Sequence, residues 1–357
     1  MPISLITATQ LDASLLAAWR SLQACHPALQ SPYYCPEFTL AVAAVRKDVR
    51  IAVIEDSNRV VGFLPFQARW GMGRPVGGSL SDHHGVICAP DTRWSWPGLL
   101  KATRLDSWRF DHLPRAQAPA DPSVTPCESP GLDLSRGMAT YLAGRRAHGV
   151  RRLGELERKA RKLAREVGPL RLEAHTRDPQ VLETVMRLKS LQCRRTGVPD
   201  CFAQPWARAL AEGICAWQAP QFSGRLSALY AGEHLVGAHL GMRSAQVWHW
   251  WFPVYDAGYA PYSPGGQLLL QVAQAAADQG HALLDLGKGD DPYKQSFADC
   301  SLPLAEGWVA RPSVTSAWLQ ACTEMRQWLQ TSPLVQPLRP LVRRWRRARV
   351  QAGVDQA

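Results

Sequence analysis

No run of 18 or more apolar residues occurs in the 357-residue chain, which excludes a membrane-spanning helix. The N-terminus, MPISLITATQLDASLLAAW, has no basic region ahead of an apolar one, so a secretory signal is not expected. The expected compartment is the cytoplasm, with any membrane contact peripheral. Nine cysteines are scattered without a paired two-residue spacing, which argues against both a zinc site and a disulfide framework. No metal is expected. Acidic residues are the scarcer charge, 30 against 41 basic ones, giving a net charge of +11 and a pI near 9.4. That surplus permits binding to nucleic acid, anionic lipid or phosphorylated ligands and selects none of them. It is concentrated in residues 145–165 and 339–349, a two-block distribution that argues against a uniform nucleic-acid-binding face. What remains is 46% apolar and 20% charged residues, a globular composition, over a length that suits two domains.

The periodicity predicts an α/β protein whose second half repeats the logic of the first. Residues 11–25 and 37–46 read as helices. VRIAVIED and RVVGFLPFQARW alternate around Ser57-Asn58, a hairpin turn pair. SLSDHHGVICAP and residues 107–113 read as further strands. Residues 114–130, rich in Pro, Ala and Ser, have no period and read as a linker, dividing the chain into residues 1–130 and 131–311. One long basic helix is predicted over 138–167. Then come a strand (LRLEAHT) and helices over 178–195 and 205–218. Three closely spaced strands follow: GRLSALYA, HLVGAHLGM and AQVWHWWFPV. A helix over 264–279, the strand HALLDLG, a short helix over 292–298 and the strand LAEGWVA complete this half. The tail, 312–357, places Leu338, Leu341, Val342 and Trp345 at helical spacing among arginines. It is either a solvated helix or one that lies on an anionic membrane or docks on a partner.

Two segments carry chemistry. In Tyr262-Ser263-Pro264-Gly265-Gly266-Gln267, Ser263 suits a helix cap and Pro264 the first helical position. Gly265 and Gly266 leave backbone amides unobstructed at the positive end of the helix dipole, a site suited to a pyrophosphate, although Ser-Pro-Gly also begins ordinary helices. In the segment from Asp285 through Gly287, Gly289, Tyr293 and Lys294 to Phe297, a strand end meets a Gly-rich turn and a short helix. There Tyr293 is placed to protonate a leaving thiolate and Lys294 to pair with a phosphate or carboxylate.

AHLGMRSAQVWHWWFPVYDAGYAPYSPGGQLLL together with DLGKGDDPYKQSFA resembles the cellulose-biosynthesis-type acetyltransferases, a branch of the GNAT superfamily. LSDHHG, residues 80–85, resembles an N-terminal motif of the same family. The resemblance is dense from Ala238 to Ala298 and weaker over most of residues 30–310. It implies tandem GNAT-like domains related to the Fem-type aminoacyltransferases of peptidoglycan. It also implies an acyl-CoA donor, acetyl-CoA or longer, and a small-molecule or saccharide acceptor in polysaccharide or natural-product biosynthesis. The usual Q/R-x-x-G-x-G/A signature is replaced here by Ser-Pro-Gly-Gly. A donor held elsewhere would leave an aminoacyl-tRNA as the alternative, the one nucleic acid in view, and a non-catalytic scaffold as a third reading.

The expected catalytic residues are His239 as base, Tyr293 as acid, and Asp285 at a strand end. Ser263, Gly265, Gly266, Gln267 and Lys294 are expected at the donor, and Asp82, His83, Trp250, Tyr255 and Asp256 at the acceptor. For His239 the competing role is a satisfied core histidine, and for Asp256 a turn residue. His249, between tryptophans, reads as core.

Overall fold

The computed structural model describes residues 1–289 and 291–311; the arginine-rich tail, for which a surface helix was expected, lies outside the described residues. The chain begins with β1 (Ile3–Ile6), α1 (Ala13–Ala24) and α2 (Pro36–Val45). It continues through β2 (Val49–Asp56), β3 (Arg59–Arg69), β4 (Met72–Arg74), β5 (Ile87–Cys88), α3 (Trp96–Ala102) and β6 (Ser107–Pro114). Then follow β7 (Thr125–Asp133), α4 (Met138–Ala147), α5 (Arg151–Glu166), β8 (Leu170–Glu173), α6 (Pro179–Thr196) and α7 (Pro205–Ala216). The remainder is β9 (Gln218–Ala219), β10 (Phe222–Ala231), β11 (His234–Arg243), β12 (Val247–Tyr255), α8 (Pro264–Asp278), β13 (Leu283–Asp285), α9 (Pro292–Phe297) and β14 (Cys300–Ala310).

The strands form one mostly antiparallel sheet, ordered β1-β2-β3-β4-β6-β14-β7-β13-β12-β11-β10-β8, with β5 on β3 and β9 on β10. Two lobes share it, and their hairpins match residue for residue. In β2–β3 the turn Ser57-Asn58 is closed by Asp56↔Arg59 and Glu55↔Val60, after which the register shifts and Ile54 faces Gly62. In β10–β11 the same count runs from Ala231↔His234 through Tyr230↔Leu235 to the shift and Leu229↔Gly237. Each lobe also continues into a parallel pair, β4 with β6 and β12 with β13. The lobes differ where it matters: β4 stops after three residues, whereas β12 runs for nine.

Three segments depart from expectation. Thr125–Asp133 is a strand, not linker, although Pro126 and Pro130 break its pattern. It lies between β14 and β13, and β14 in turn reaches back to pair with β6 of the first lobe. The long basic helix is two, α4 and α5, divided at His148-Gly149. The DHH segment forms a loop after a 3-10 turn, and only Ile87–Cys88 pairs as strand.

One face of the second lobe carries α4, α5 and α8 over Trp248 and Trp250; the opposite face carries α2, α6 and α7 over Trp251, Phe252 and Val254. On the highly charged α5, Leu153, Leu156 and Leu163 supply the buried stripe, each contributing roughly 1.5–3 kcal/mol by leaving water.

Candidate active site

Strands β12 and β13 run parallel from Val247↔Leu283 to His249↔Asp285 and then part. Beyond that point β13 turns away through Gly287 while β12 continues, one edge still paired with β11 and the other released. A bulge falls just there: Trp250 and Trp251 together face the single residue Gly241, between the pairs Met242↔His249 and Leu240↔Phe252. Bulges re-aim side chains, and both indoles line a cavity of about 470 Å³ in the fork. Its walls also include Asp82 of the first lobe, Arg152 of α5, Lys189 of α6, the turn Ser263–Gly266, and Tyr293 of α9. A larger cavity, about 1130 Å³, lies across α9 beside Arg145, Lys288 and Glu306, but none of the expected site residues reach it.

At the base of the fork the lobes exchange hydrogen bonds through buried groups, with Asp82 alone partly exposed toward the cavity. Asp285 Oδ2 accepts from His83 Nε2 at 2.6 Å and from His249 Nδ1 at 3.1 Å. Asp285 Oδ1 accepts from Ser129 Oγ at 2.5 Å and the Gly287 amide at 3.0 Å. The far nitrogen of His249, Nε2, donates to Asp82 Oδ2 at 2.9 Å. Burial disfavours an imidazolium, but the Asp285 and Asp82 carboxylates outweigh it and lift His249 to about 9. Burial alone would raise Asp285; His83 and His249 reverse this and hold it well below the carboxylate range, and Asp82 is lowered likewise, chiefly by His249. The cluster therefore carries a proton on His249 between two carboxylates at neutral pH. Donor atoms of His83, His249 and Asp285 lie within 4.8 Å of one another, a spacing a metal ion could use. In this conformation both Asp285 oxygens are already filled by protein donors, so the group works as a closed proton-sharing network.

Local packing explains the arrangement. Trp251 Nε1 donates to the Leu80 carbonyl at 3.1 Å and so clamps the DHH loop to the bulge. Tyr33 meets His249 edge-on, ring centres 4.9 Å apart. Gly287, at φ +72°, is a position where a Cβ would come within 2.8 Å of Asp82 Oδ2; only glycine lets the turn pass so close.

The expected residues separate into groups. Asp82, Trp250, Tyr255, Ser263, Gly265, Gly266, Tyr293 and Lys294 line one cavity, and His83 and Asp285 lie in the buried network behind it. Tyr293 is raised by burial and keeps its proton. His239 does not face the cavity. It is completely buried and stacked 4.1 Å from Trp250, with neither ring nitrogen hydrogen-bonded among the described residues, and burial with the nearby charge of His249 holds it well below its ordinary value. It is a core histidine and a poor base. Gln267 is turned inward, its Nε2 donating to the Leu156 carbonyl at 2.6 Å, so it ties α8 to α5. The Lys294 ammonium is spent on the carbonyls of Gly287 (3.1 Å) and Lys288 (2.8 Å), with Asp291 at 3.7 Å. It braces the turn. Asp256 caps the 3-10 helix Ala257–Tyr262 through the Gly258 amide and lies off the cavity. His84, which accepts from the Asp111 and His112 amides, is a neutral staple of the first lobe, lowered to about 3 by burial.

At the α8 turn Ser263 makes no side-chain cap; its Oγ instead accepts from Lys159 of α5 at 2.9 Å. The Gly266 and Gln267 amides close on the Ser263 carbonyl. Among the described residues this leaves the Gly265 amide as the free donor of the turn, fewer than the sequence promised.

His249 was the residue missed. Flanking tryptophans give it a core signature, and its pairing with Asp285 depends on a parallel register between residues 36 positions apart that no local pattern encodes.

Residues 150–295 match the family model described as an acetyltransferase (GNAT) domain. No curated protein matches the chain. Among solved structures, FemX is similar at 10% identity and TM-score 0.57, over 90% of this chain and 99% of that one. The C-terminal domain of a candidate lysylphosphatidylglycerol synthetase from Agrobacterium fabrum is similar at 11% identity and TM-score 0.54, covering 88% and 96%. A conserved protein of unknown function from Bacteroides thetaiotaomicron follows at 12%, 0.51, 87% and 100%. At these identities the likeness is one of fold. Residues 150–295, in the second lobe, thus match a GNAT acetyltransferase domain, which supports an acyltransferase.

Proposed function

We propose that the protein transfers an acyl group directly from a coenzyme A thioester to an amine or hydroxyl acceptor, with the thioester lodged in the fork between β12 and β13. The carrying observation is the fork itself: a released strand edge, a backbone bulge and a carboxylate from the other lobe meet in one cavity. The free edge of β12 offers main-chain partners to the extended amides of a pantetheine arm. Arg152, Lys159 and the Gly265 amide stand where its diphosphate would lie.

Asp82 is the acceptor-facing group, in place of His239. Held by His249, it accepts a hydrogen bond from the nucleophile, orients it, and stabilises the positive charge that grows as the new bond forms. The nucleophile's proton passes to Asp82 as its own affinity for that proton collapses. The tetrahedral oxyanion would draw on amides freed at the bulge, and the C–S bond then breaks with Tyr293 donating to the departing sulfur. No covalent enzyme intermediate is required. The resemblance to cellulose-biosynthesis-type acetyltransferases makes a saccharide one candidate acceptor.

A thermal-stability scan against coenzyme A, acetyl-CoA and longer thioesters tests the donor. Saturable stabilisation is expected, lost in Gly265→Glu, together with acceptor-dependent release of free coenzyme A that Asp82→Asn abolishes. Equal responses from the chain and Gly265→Glu would place the donor elsewhere. A second reading, an aminoacyl-tRNA donor, is favoured by one feature, the basic α5 that sets Arg152 at the cavity and Lys159 on Ser263. Filter binding of charged tRNA separates the two. A scaffold would respond to neither ligand.

A further inference from the structure

The cavity has two sides, and they are chemically unlike. On the face of α5 and α8 it meets the Gly265 amide and Arg152, whose guanidinium lies 5.5 Å from the Phe297 ring centre. On the opposite face α6 contributes Lys189 and Gln192, one helical turn apart. Among the described residues the Lys189 ammonium has no hydrogen-bond or ion-pair partner. Its charged neighbours are Lys294, already committed to the Gly287 and Lys288 carbonyls, and Asp291, which lies 3.7 Å from the Lys294 ammonium. Burial lowers the Lys189 pKa. A half-sequestered ammonium with no carboxylate in direct contact carries a desolvation cost that a bound anion would offset.

Which substrate brings the anion follows from the side. A donor whose diphosphate lies by the α8 turn fills the α5–α8 face and leaves the α6 face to the acceptor. The kind of anion follows from the donors. One ammonium with an adjacent carboxamide suits a carboxylate, whereas a phosphate group calls for several cations or a guanidinium fork.

We propose that the acceptor carries a carboxylate, held by Lys189 and Gln192, while its amine or hydroxyl faces Asp82. The substrate class is thus an amino or hydroxy acid, free or as the acidic end of a larger molecule. This rests on the acyltransferase reading given above.

The test uses the full chain with coenzyme A present, melted with β-alanine and with 3-hydroxypropanoate, each against its own uncharged-carbonyl counterpart, the amide. Both acids should raise the melting temperature saturably and both amides should not. Lys189→Met should weaken the acids about tenfold or more, while the coenzyme A midpoint stays the same. Acids and amides acting alike on the unmodified chain, or Lys189→Met responding as the parent does, overturns the proposal. Absence of any coenzyme A response would count instead against the donor reading. The acid–amide comparison, repeated without coenzyme A, then still decides the carboxylate site, and its arm on the unmodified chain does not depend on a variant folding.

Discussion

Asp285 shows how much one carboxylate can organise. It receives four hydrogen bonds from groups on four segments, and its charge keeps His249 protonated in a site without water contact. The sign of the pH effect follows. His249 is raised from 6.5 to about 9, so the folded state keeps a proton that the unfolded chain sheds near pH 6.5. That stabilisation is whole below pH 6.5, declines above it and is gone once pH passes about 9. Asp285 and Asp82, both lowered, act on the acid side, where their contribution is lost as pH falls through the carboxylate range. Urea melts across pH should therefore show an alkaline loss that His249→Gln removes. Asp285→Asn, which leaves a buried imidazolium short of a counter-ion, should cost about 3–5 kcal/mol at pH 7 by the same measurement.

Between elements, the contact of α5 with the start of α8 governs the donor side of the cavity. A Cβ at Gly266 would lie 2.9 Å from Leu156 Cδ2, and Gln267 bonds the Leu156 carbonyl. Gly266→Ala should destabilise by forcing the helices apart. Leu156→Ala, emptying a buried site, should cost about 2–5 kcal/mol. Because each change relieves or fills what the other creates, the double variant should be more stable than the sum of the two losses, which a double-mutant cycle from denaturant melts reads directly. The bulge is equally constrained. A Cβ at Gly241 would sit 2.4 Å from His239 Cε1 and 2.5 Å from the His249 carbonyl oxygen. Gly241→Ala should therefore abolish coenzyme A release; an unchanged rate would remove the bulge from the mechanism.

At the scale of the molecule, the exchange at the centre of the sheet decides how the lobes depend on each other. β14, from the end of the described chain, lies between β6 and β7, and Ala305 and Val309 pack into the first lobe's core. Separate fragments 1–130 and 131–311 should therefore fail to give two cooperative domains. The first lacks β14 beside β6, and the second divides β7 at its sixth residue. Circular dichroism melts of each fragment, alone and mixed, would read this; independent two-state unfolding of either fragment would refute it.

Much of the fold was legible locally. Asp178 ahead of Pro179 announces α6, and its carboxylate does accept from the Gln180 amide at 2.8 Å. Ser57-Asn58 announces a two-residue hairpin, and both residues take positive φ. What was illegible had a common cause. β7 is a strand because β13 and β14 flank it, not because TPCESPGLD favours one. His239 and His249 stand in similar apolar surroundings in sequence, and only the latter has carboxylates brought to both its nitrogens.

Most element types, the turn chemistry and the segments bearing Asp82, Gly265 and Tyr293 were determined by sequence alone, because propensity and periodicity act over a few neighbouring residues. Which histidine is charged, where β12 and β13 part, and which cations face the cavity without a partner among the described residues were decided only by tertiary structure. Those properties depend on burial and on partners up to 202 positions apart, as between His83 and Asp285, and no local interaction carries that information.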